Sequence, residues 1–490
     1  MAFKDLREWI EFLEKEGELA RVSANVDLEG EVAAISRKVL NKNGPALLFE
    51  NIESHKNTPC TKLFQGSFGT LGRLSMMLGL SKDTKRRKLT DVLRQRLNER
   101  IKPVIVDGGP VKENILMGDQ IDLNAFPVPK WHEFDGGRYI NTWCGIVTKD
   151  PDNGWVNVGT YRGMIADKNK ISVLLLYSQH WGVHYKKYQK MGKPMPVAVV
   201  YGWDPVMEFT AACPLPLGVP EYEVMGALRG EPVPLVKCET VDLYVPASAE
   251  IVIEGQISSD PETFEWEGPF GEFTGYYGGQ KTKRPCIEVS CITYRNDPIY
   301  RGGLEGAGPG APNEDLTIYS VVSKAQALDV LEKAGIPGIL DIRVGPVTYV
   351  KIDQTYQSQA RQIAAALWGS WLTEYHFKIV MVVNEDIDIY DSNALDRAFV
   401  YRVNPREDLV VFPGTRGGAL DPSQPLEDRD EIKLGSGRWN RLLIDATVNL
   451  NNQKEWFGRS LPPFSTEIEP KYNELIRRRW QEYGIGVKLD

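Results

Sequence analysis

Apolar residues recur at helical spacing from the start of the chain. Leu6, Trp9, Ile10 and Leu13 fall at i, i+3, i+4 and i+7, which predicts a helix with one buried face. Asp5 and Glu8 make a capping-box-like start, and Gly17 makes a stop. Residues 86–101 predict a basic amphipathic helix whose charge meets solvent. From about residue 115 to 300 the pattern shortens to strand-like runs: Ile171–Tyr177, Val197–Tyr201, Val241–Val245, Ile251–Glu254 and Ile287–Tyr294. Residues 150–154 (DPDNG) predict a hairpin turn before a strand from Trp155. Many strands with few crossover helices predict a largely antiparallel sheet or barrel.

Residues 301–312 (RGGLEGAGPGAP) are a loop by composition. A helix should follow, capped by Asn313, striped by Ile318, Val321, Val322, Ala325 and Leu328, and ended by Gly335-Ile-Pro337. A domain boundary falls here, with the helix as connector. Beyond it the pattern returns to α/β: a helix over about 357–372, strands Lys378–Val383 and Leu409–Phe412, and a last helix after Pro470.

Composition narrows the classes. At 490 residues the chain has room for about three domains of ~150 residues. Lys and Arg number 58 against 66 Asp and Glu, a net charge of −8, so nothing favours a nucleic-acid or anionic-membrane partner. No apolar run approaches the ~18 residues of a membrane span, and charges interrupt the N-terminal stretch throughout, unlike a signal peptide. The six cysteines include no CxxC pair, which predicts reduced thiols in a cytoplasmic protein and no zinc finger. With five histidines, any metal site must lean on carboxylates or amides.

Four segments could carry chemistry. In the first, Asn157 and Arg162 would face opposite sides of a regular strand, but Gly159 lets the backbone bulge and could bring an amide and a guanidinium into one pocket. In the second, Gln179 and His180 follow an apolar strand; His180 and His184 could also be i, i+4 metal ligands on a helix, which Gly182 disfavours. In the third, Glu267-Gly-Pro-Phe-Gly-Glu272, a tight turn can aim two carboxylates into one space and push their pKa values apart. In the fourth, Gly306-Ala-Gly308-Pro-Gly-Ala311 formally matches a dinucleotide loop, but the preceding strands look antiparallel and Pro309 sits inside the turn, so a pocket rim fits better. Each segment alone is also compatible with an ordinary structural role.

Together these segments resemble the UbiD family of prenylated-FMN-dependent (de)carboxylases. The resemblance is carried by Asn157 and Arg162, Gln179-His180, Pro220-Glu221-Tyr-Glu-Val-Met-Gly226-Ala-Leu-Arg-Gly-Glu231, Leu235-Val-Lys-Cys-Glu-Thr, Val245-Pro-Ala-Ser-Ala-Glu-Ile-Val, and Glu267 to Glu272. Weaker echoes are Lys378 before an apolar strand and Gly418-Ala-Leu-Asp-Pro-Ser423. The order along the chain agrees, and the match covers nearly all of it.

The resemblance implies an α+β/α/β fold in four parts: an N-terminal α/β domain (1–114), a central split β-barrel for the cofactor (115–305), a loop and connector helix (306–336), and a C-terminal α/β oligomerisation domain (337–490). It implies that Asn157, His180 and Glu221 hold one divalent metal, usually Mn²⁺, which grips the phosphate of prenylated FMN. Glu223 is the nearest competitor of Glu221. A K⁺ ion would sit beside the metal on main-chain oxygens of Trp155 and of the Ala211–Cys213 stretch. Tyr161, Arg162, Gln179 and Lys378 would complete the cofactor contacts, Lys378 at the phosphate. Arg162, Glu267 and Glu272 would be the catalytic set, Arg162 pairing with Glu267 while Glu272, unpaired, delivers the proton.

The implied activity is reversible non-oxidative decarboxylation of an aromatic, heteroaromatic or α,β-unsaturated acid with release of CO₂. The implied partners are a flavin prenyltransferase that supplies the cofactor and further copies of the chain in a homodimer or homohexamer. The alternatives are a flavin- or nicotinamide-dependent oxidoreductase using the Gly306 loop, a carboxylate-pair hydrolase, and a non-catalytic flavin-binding scaffold.

Overall fold

A computed structural model describes residues 2–306, 308–374, 376–448, 455–456, 459–460 and 470–488. Its centre is a nine-stranded sheet in which every pairing is antiparallel. The order runs Tyr139–Asn141, Gly163–Asp167, Lys170–Val173, Cys286–Tyr294, Ile251–Ile257, Met195–Tyr201, Gly145–Lys149, Val156–Gly159, with Asn114–Met117 also on Cys286–Tyr294. The sheet curls into an open half-barrel. Its middle strands are buried on both faces, as the continuous apolar run Val197–Tyr201 implies. Val197, Val199 and Tyr201 enter one core, while Ala198 and Val200 enter another.

A smaller mixed sheet precedes it, in the order Leu19–Val22, Ala46–Phe49, Lys62–Gln65, Ile299–Arg301. Its last strand comes from the stretch assigned by sequence to the central domain, so the chain returns to finish the N-terminal sheet. Arg301 on that strand is fully buried and anchors the return. Its Nε meets Glu208 at 3.0 Å and its Nη2 meets Glu314 at 2.8 Å. Glu314 in turn accepts from the Phe68 and Gly66 amides at 2.8 and 3.1 Å. These partners satisfy charges that burial would otherwise penalise heavily.

The connector helix is Glu314–Lys333, capped by Asn313, which accepts from the Leu316 amide at 2.7 Å. Its 20 residues rise ~30 Å and join two cores. Ile318, Val321, Val322 and Ala325 pack with the N-terminal helix, whereas Ala327, Val330 and Leu331 pack under the C-terminal sheet. That sheet has five strands, with parallel inner and antiparallel outer pairings.

The first helix, Leu6–Lys15, is capped by Asp5 and buries Leu6, Trp9, Ile10 and Leu13 as their spacing predicts. Four expectations need revision. Helix Arg86–Leu97 leaves only part of its charge to solvent: Arg87 and Lys88 are exposed, but Arg94 pairs with Asp329 at 2.7 Å and Arg86 donates to Ser320, both on the connector. The strand expected over Ile171–Tyr177 ends at Val173, and the following residues leave the sheet as a buried loop. Residues from His180 form a helix, His180–Lys190, straight through Gly182. A Cβ at 182 would lie 2.0 Å from the Leu176 carbonyl oxygen, so glycine lets the helix press against that loop. Helix Gln359–Trp368 is shorter than expected, yielding to a 3₁₀ turn at Trp371–Glu374.

All six cysteines are buried and free. Among the described residues no helix is long and apolar enough to cross a membrane. The formal dinucleotide motif includes residue 307, which lies outside the described residues.

Candidate active site

A cavity of about 340 Å³ opens between the half-barrel, the start of the connector helix and the C-terminal part. The strand carrying Asn157 ends at Gly159, where a Cβ would strike the Tyr161 ring at 2.5–2.8 Å. That close approach turns the backbone, and Asn157 and Arg162 both reach the cavity. His180 and Glu221 each open a helix, His180–Lys190 and Glu221–Arg229, with both first turns lining the same space. Two helix N-termini there favour an anionic group.

His180 Nδ1 lies 3.4 Å from Glu221 Oε1. Glu221 Oε2 accepts from the Val158 amide at 3.1 Å, and burial raises its pKa. Asn157 Oδ1 accepts from the Tyr161 hydroxyl at 3.3 Å. Tyr161 is itself stacked on Trp181 at 4.4 Å. Among the described residues no three His, Cys, Asp or Glu side chains form a metal-binding group, so a metal here would need the Asn157 amide as third donor. One imidazole with two oxygens suits a hard divalent ion. The 221/223 alternative is separated by geometry: Glu223 faces a second groove beside Pro103 and Tyr244. The second imidazole is separated too. His184 is fully buried, hydrogen-bonded to Thr148 at 3.0 Å and held down to a pKa of about 4 by burial.

Arg162 organises the other end. Its guanidinium meets Glu267 through Nε and Nη2, each at 3.0 Å, and Glu272 through Nη1 in a closer contact. The expected asymmetry, with Glu272 unpaired, is therefore not what the fold builds: one guanidinium bridges both carboxylates. The difference lies in position. Glu267 is fully buried behind Arg162 and accepts from the Tyr139 hydroxyl at 2.7 Å, while Glu272 lines the cavity. Burial raises the pKa of Glu272 against the opposing pull of Arg162, with Glu267 and Asp315 adding to the rise.

The remaining expected contacts divide. Gln179 and Ala211 line the cavity. The Ala211 carbonyl accepts from the Thr160 amide at 3.1 Å. The Trp155 carbonyl is turned into its hairpin, bonded to the Asp150 amide at 2.7 Å, and Trp155 borders the second groove. Lys378 does not line the cavity; its ammonium is held by Asp421 and Ser423, both at 2.6 Å. The cation at that edge is Arg416, which pairs with Glu374 and donates to the Ser178 carbonyl at 3.1 Å. Sequence reading also missed Glu305, Asp315 and Tyr319 in the wall. Asp315 and Tyr319 share a face of a helix whose stripe was assigned wholly to packing.

Three family models cover most of the chain: the 3-octaprenyl-4-hydroxybenzoate carboxy-lyase N-terminal domain over residues 10–93, its Rift-related domain over 103–308, and its C-terminal domain over 316–446. The chain is 32% identical to pyrrole-2-carboxylic acid decarboxylase of Pseudomonas aeruginosa, over 98% of each chain. Vanillic acid decarboxylase of Sedimentibacter hydroxybenzoicus, in closed form, superposes with a TM-score of 0.85 at 29% identity, covering 98% of this chain and 100% of that one. An evolved dimeric form of the UbiD-class enzyme HmfF from Pelotomaculum thermopropionicum, solved with prFMN, gives 0.77 at 28% identity, covering 96% and 98%.

Proposed function

This chain belongs to the UbiD family of carboxy-lyases, and from that premise we propose that it decarboxylates an aromatic, heteroaromatic or α,β-unsaturated acid reversibly, with prenylated FMN as cofactor. The observation that carries the reading is the Arg162 bridge to Glu267 and Glu272 in the cavity that also gathers Asn157, His180 and Glu221. When bound, prenylated FMN supplies the electron sink that decarboxylation needs and that no side chain provides.

The protein's own residues do the rest. Asn157, His180 and Glu221 would hold Mn²⁺ or a similar ion against the cofactor phosphate, helped by the two helix N-termini. A neighbouring K⁺ would draw on the Ala211 carbonyl, and on that of Trp155 where its hairpin bond leaves a lone pair. Lys378 would reach the phosphate by leaving Asp421. Arg162, fixed from behind by Glu267, orients the substrate carboxylate. Glu272 keeps its proton because its site is desolvated, and gives that proton to the carbon that loses CO₂. Assembly as a homodimer or homohexamer is supported by exposed Phe399, Val400, Tyr401 and Phe412 on the C-terminal part.

The test is purification from cells co-expressing a flavin prenyltransferase, followed by a screen of aromatic and acrylic acids for CO₂ release. CO₂ release by that preparation, absent from protein loaded with plain FMN, is expected. Full activity with plain FMN, or release from no acid, would overturn the reading.

A further inference from the structure

The mechanism above leaves one stretch of the cavity wall without a task. Glu305 comes from the glycine-rich rim and Asp315 from the first turn of the connector helix. Both line the cavity that holds Arg162 and Glu272. The rim is fixed there: Asn313 Nδ2 donates to the Glu305 and Phe273 carbonyls at 2.8 and 3.0 Å, and a Cβ at Gly306 would meet the Glu272 carbonyl oxygen at 2.4 Å.

The two carboxyls lie side by side, close enough to share a proton. Burial raises the pKa of both; at Glu305 the Asp315 charge adds to the rise, while at Asp315 contact with Glu305 opposes it and the Glu314 charge adds. Among the described residues Asp315 Oδ2 finds no hydrogen-bond partner, although Asp315 is only 7% exposed. A pair of carboxyls offers four oxygens and at most two protons, so acceptors outnumber donors. The neighbouring wall is aromatic: Phe273 packs edge-on against Tyr319 at 6.0 Å, and Phe270 lies under Arg162. A buried acceptor without a donor, such as Asp315 Oδ2 beside the half-buried Glu305, costs free energy, so this wall is complementary to a ligand that brings donors of its own. Aromatic faces beside it suit a flat ring.

We propose that Glu305 and Asp315 are specificity-determining residues, selecting a ring carboxylic acid that carries a hydrogen-bond donor, a hydroxyl or a ring N–H, over an equally shaped acid that lacks one. The proposal deepens the decarboxylase reading and rests on it for the identity of the reacting carboxylate. A site with buried acceptors discriminates against the analogue lacking the donor because those acceptors are then left unpaired. No bond is made or broken by the pair in this role.

The experiment uses matched acids with the prenylated holoenzyme: pyrrole-2-carboxylate against thiophene-2-carboxylate, and hydroxybenzoates against the corresponding methoxybenzoates. The donor-bearing member of at least one pair is expected to lead in kcat/KM by about 10-fold or more, the scale of one hydrogen bond to a charged group. Glu305→Gln and Asp315→Asn should each shrink that ratio by about 10-fold, whatever they do to the absolute rates. A second arm measures binding by calorimetry on the protein without cofactor, using the donor-bearing acid itself. Its Kd should weaken about 10-fold in each variant while the donor-free acid's Kd moves in neither.

Equal kcat/KM within every pair, or variants that move both members alike, would overturn the proposal. Should either variant fail to fold, the wild-type ratios and the other variant decide. Absence of turnover with every acid would instead overturn the decarboxylase reading, and the calorimetric arm would then decide the recognition of donors by itself.

Discussion

Replacing Glu272 by Gln should separate turnover from structure. The carboxyl lies 5% exposed in the cavity wall and contributes one oxygen to Arg162 Nη1. Glutamine keeps that oxygen as an acceptor. Arg162 keeps Glu267 as counter-ion through its Nε and Nη2 contacts at 3.0 Å, so no buried charge is orphaned. The structural cost is thus small, about 1 kcal/mol, because the ionised Arg162 keeps an oxygen acceptor at that position. Breaking the pair from the other side differs in kind, because losing Arg162 would strand the fully buried Glu267 without its guanidinium, at about 3–5 kcal/mol. The catalytic cost should be far larger than the structural one. Positioned proton donors contribute about 10²–10⁴-fold, and an amide cannot deliver the proton. The assay is solvent-deuterium incorporation at the product carbon by NMR, beside a thermal melt and a flavin spectrum. The expected result is a melt within a few degrees of wild type, normal cofactor uptake, and exchange slowed at least 10²-fold. Exchange at the wild-type rate would mean that water or another group carries the proton, and the role given to Glu272 would have to be withdrawn.

Three further outcomes follow from the same geometry. His180→Ala should leave the fold intact and abolish tight binding of divalent metal, read by elemental analysis and by flavin content; normal values for both would refute the metal assignment. Gly182→Ala should destabilise by about 1–3 kcal/mol because the new methyl meets the rigid Leu176 carbonyl at 2.0 Å, read as a lowered unfolding midpoint. The rate should be full at low pH and fall as pH rises through the raised pKa of Glu272, since the acid must hold its proton to donate it; that alkaline limb should vanish from the residual activity of Glu272→Gln.

How far the sequence speaks depends on whether a residue's role is local. The first helix was legible from Leu6, Trp9, Ile10, Leu13 and the Asp5 cap, all within two turns. The antiparallel centre was legible from strand density, and the connector from the Asn313 cap and its apolar stripe. The helix at His180 was not, because glycine's low helix propensity was outweighed by a contact with Leu176 that only the folded chain creates. The end of the strand at Val173 was equally hidden: Leu174–Leu176 are buried, but against the cavity side and the helix rather than in a ladder. Apolar character reported burial there and said nothing of hydrogen-bond pairing.

The site shows the same division. The resemblance to the UbiD family named Asn157, Arg162, His180, Glu221, Glu267 and Glu272, and the fold brings five of them to the wall of one cavity, with Glu267 directly behind Arg162. Spacing could not say how the two carboxylates share the guanidinium, since that depends on which of them has Tyr139 behind it. Tyr139 lies 128 residues before Glu267 and reaches it because the strands Tyr139–Asn141 and Gly163–Asp167 are neighbours in the half-barrel. Lys378 illustrates the converse: the resemblance implies a phosphate ligand there, yet Asp421 pairs with it from the neighbouring loop. A group held at 2.6 Å by both a carboxylate and a hydroxyl must give up both bonds to serve a cofactor, whereas Arg416 already borders the cavity. The distinction between the Glu267 and Glu272 roles therefore rests on packing behind each side chain: the one with a buried hydroxyl donor and a guanidinium around it is held in place as the partner of Arg162, and the one facing open cavity is the one able to pass a proton to a substrate.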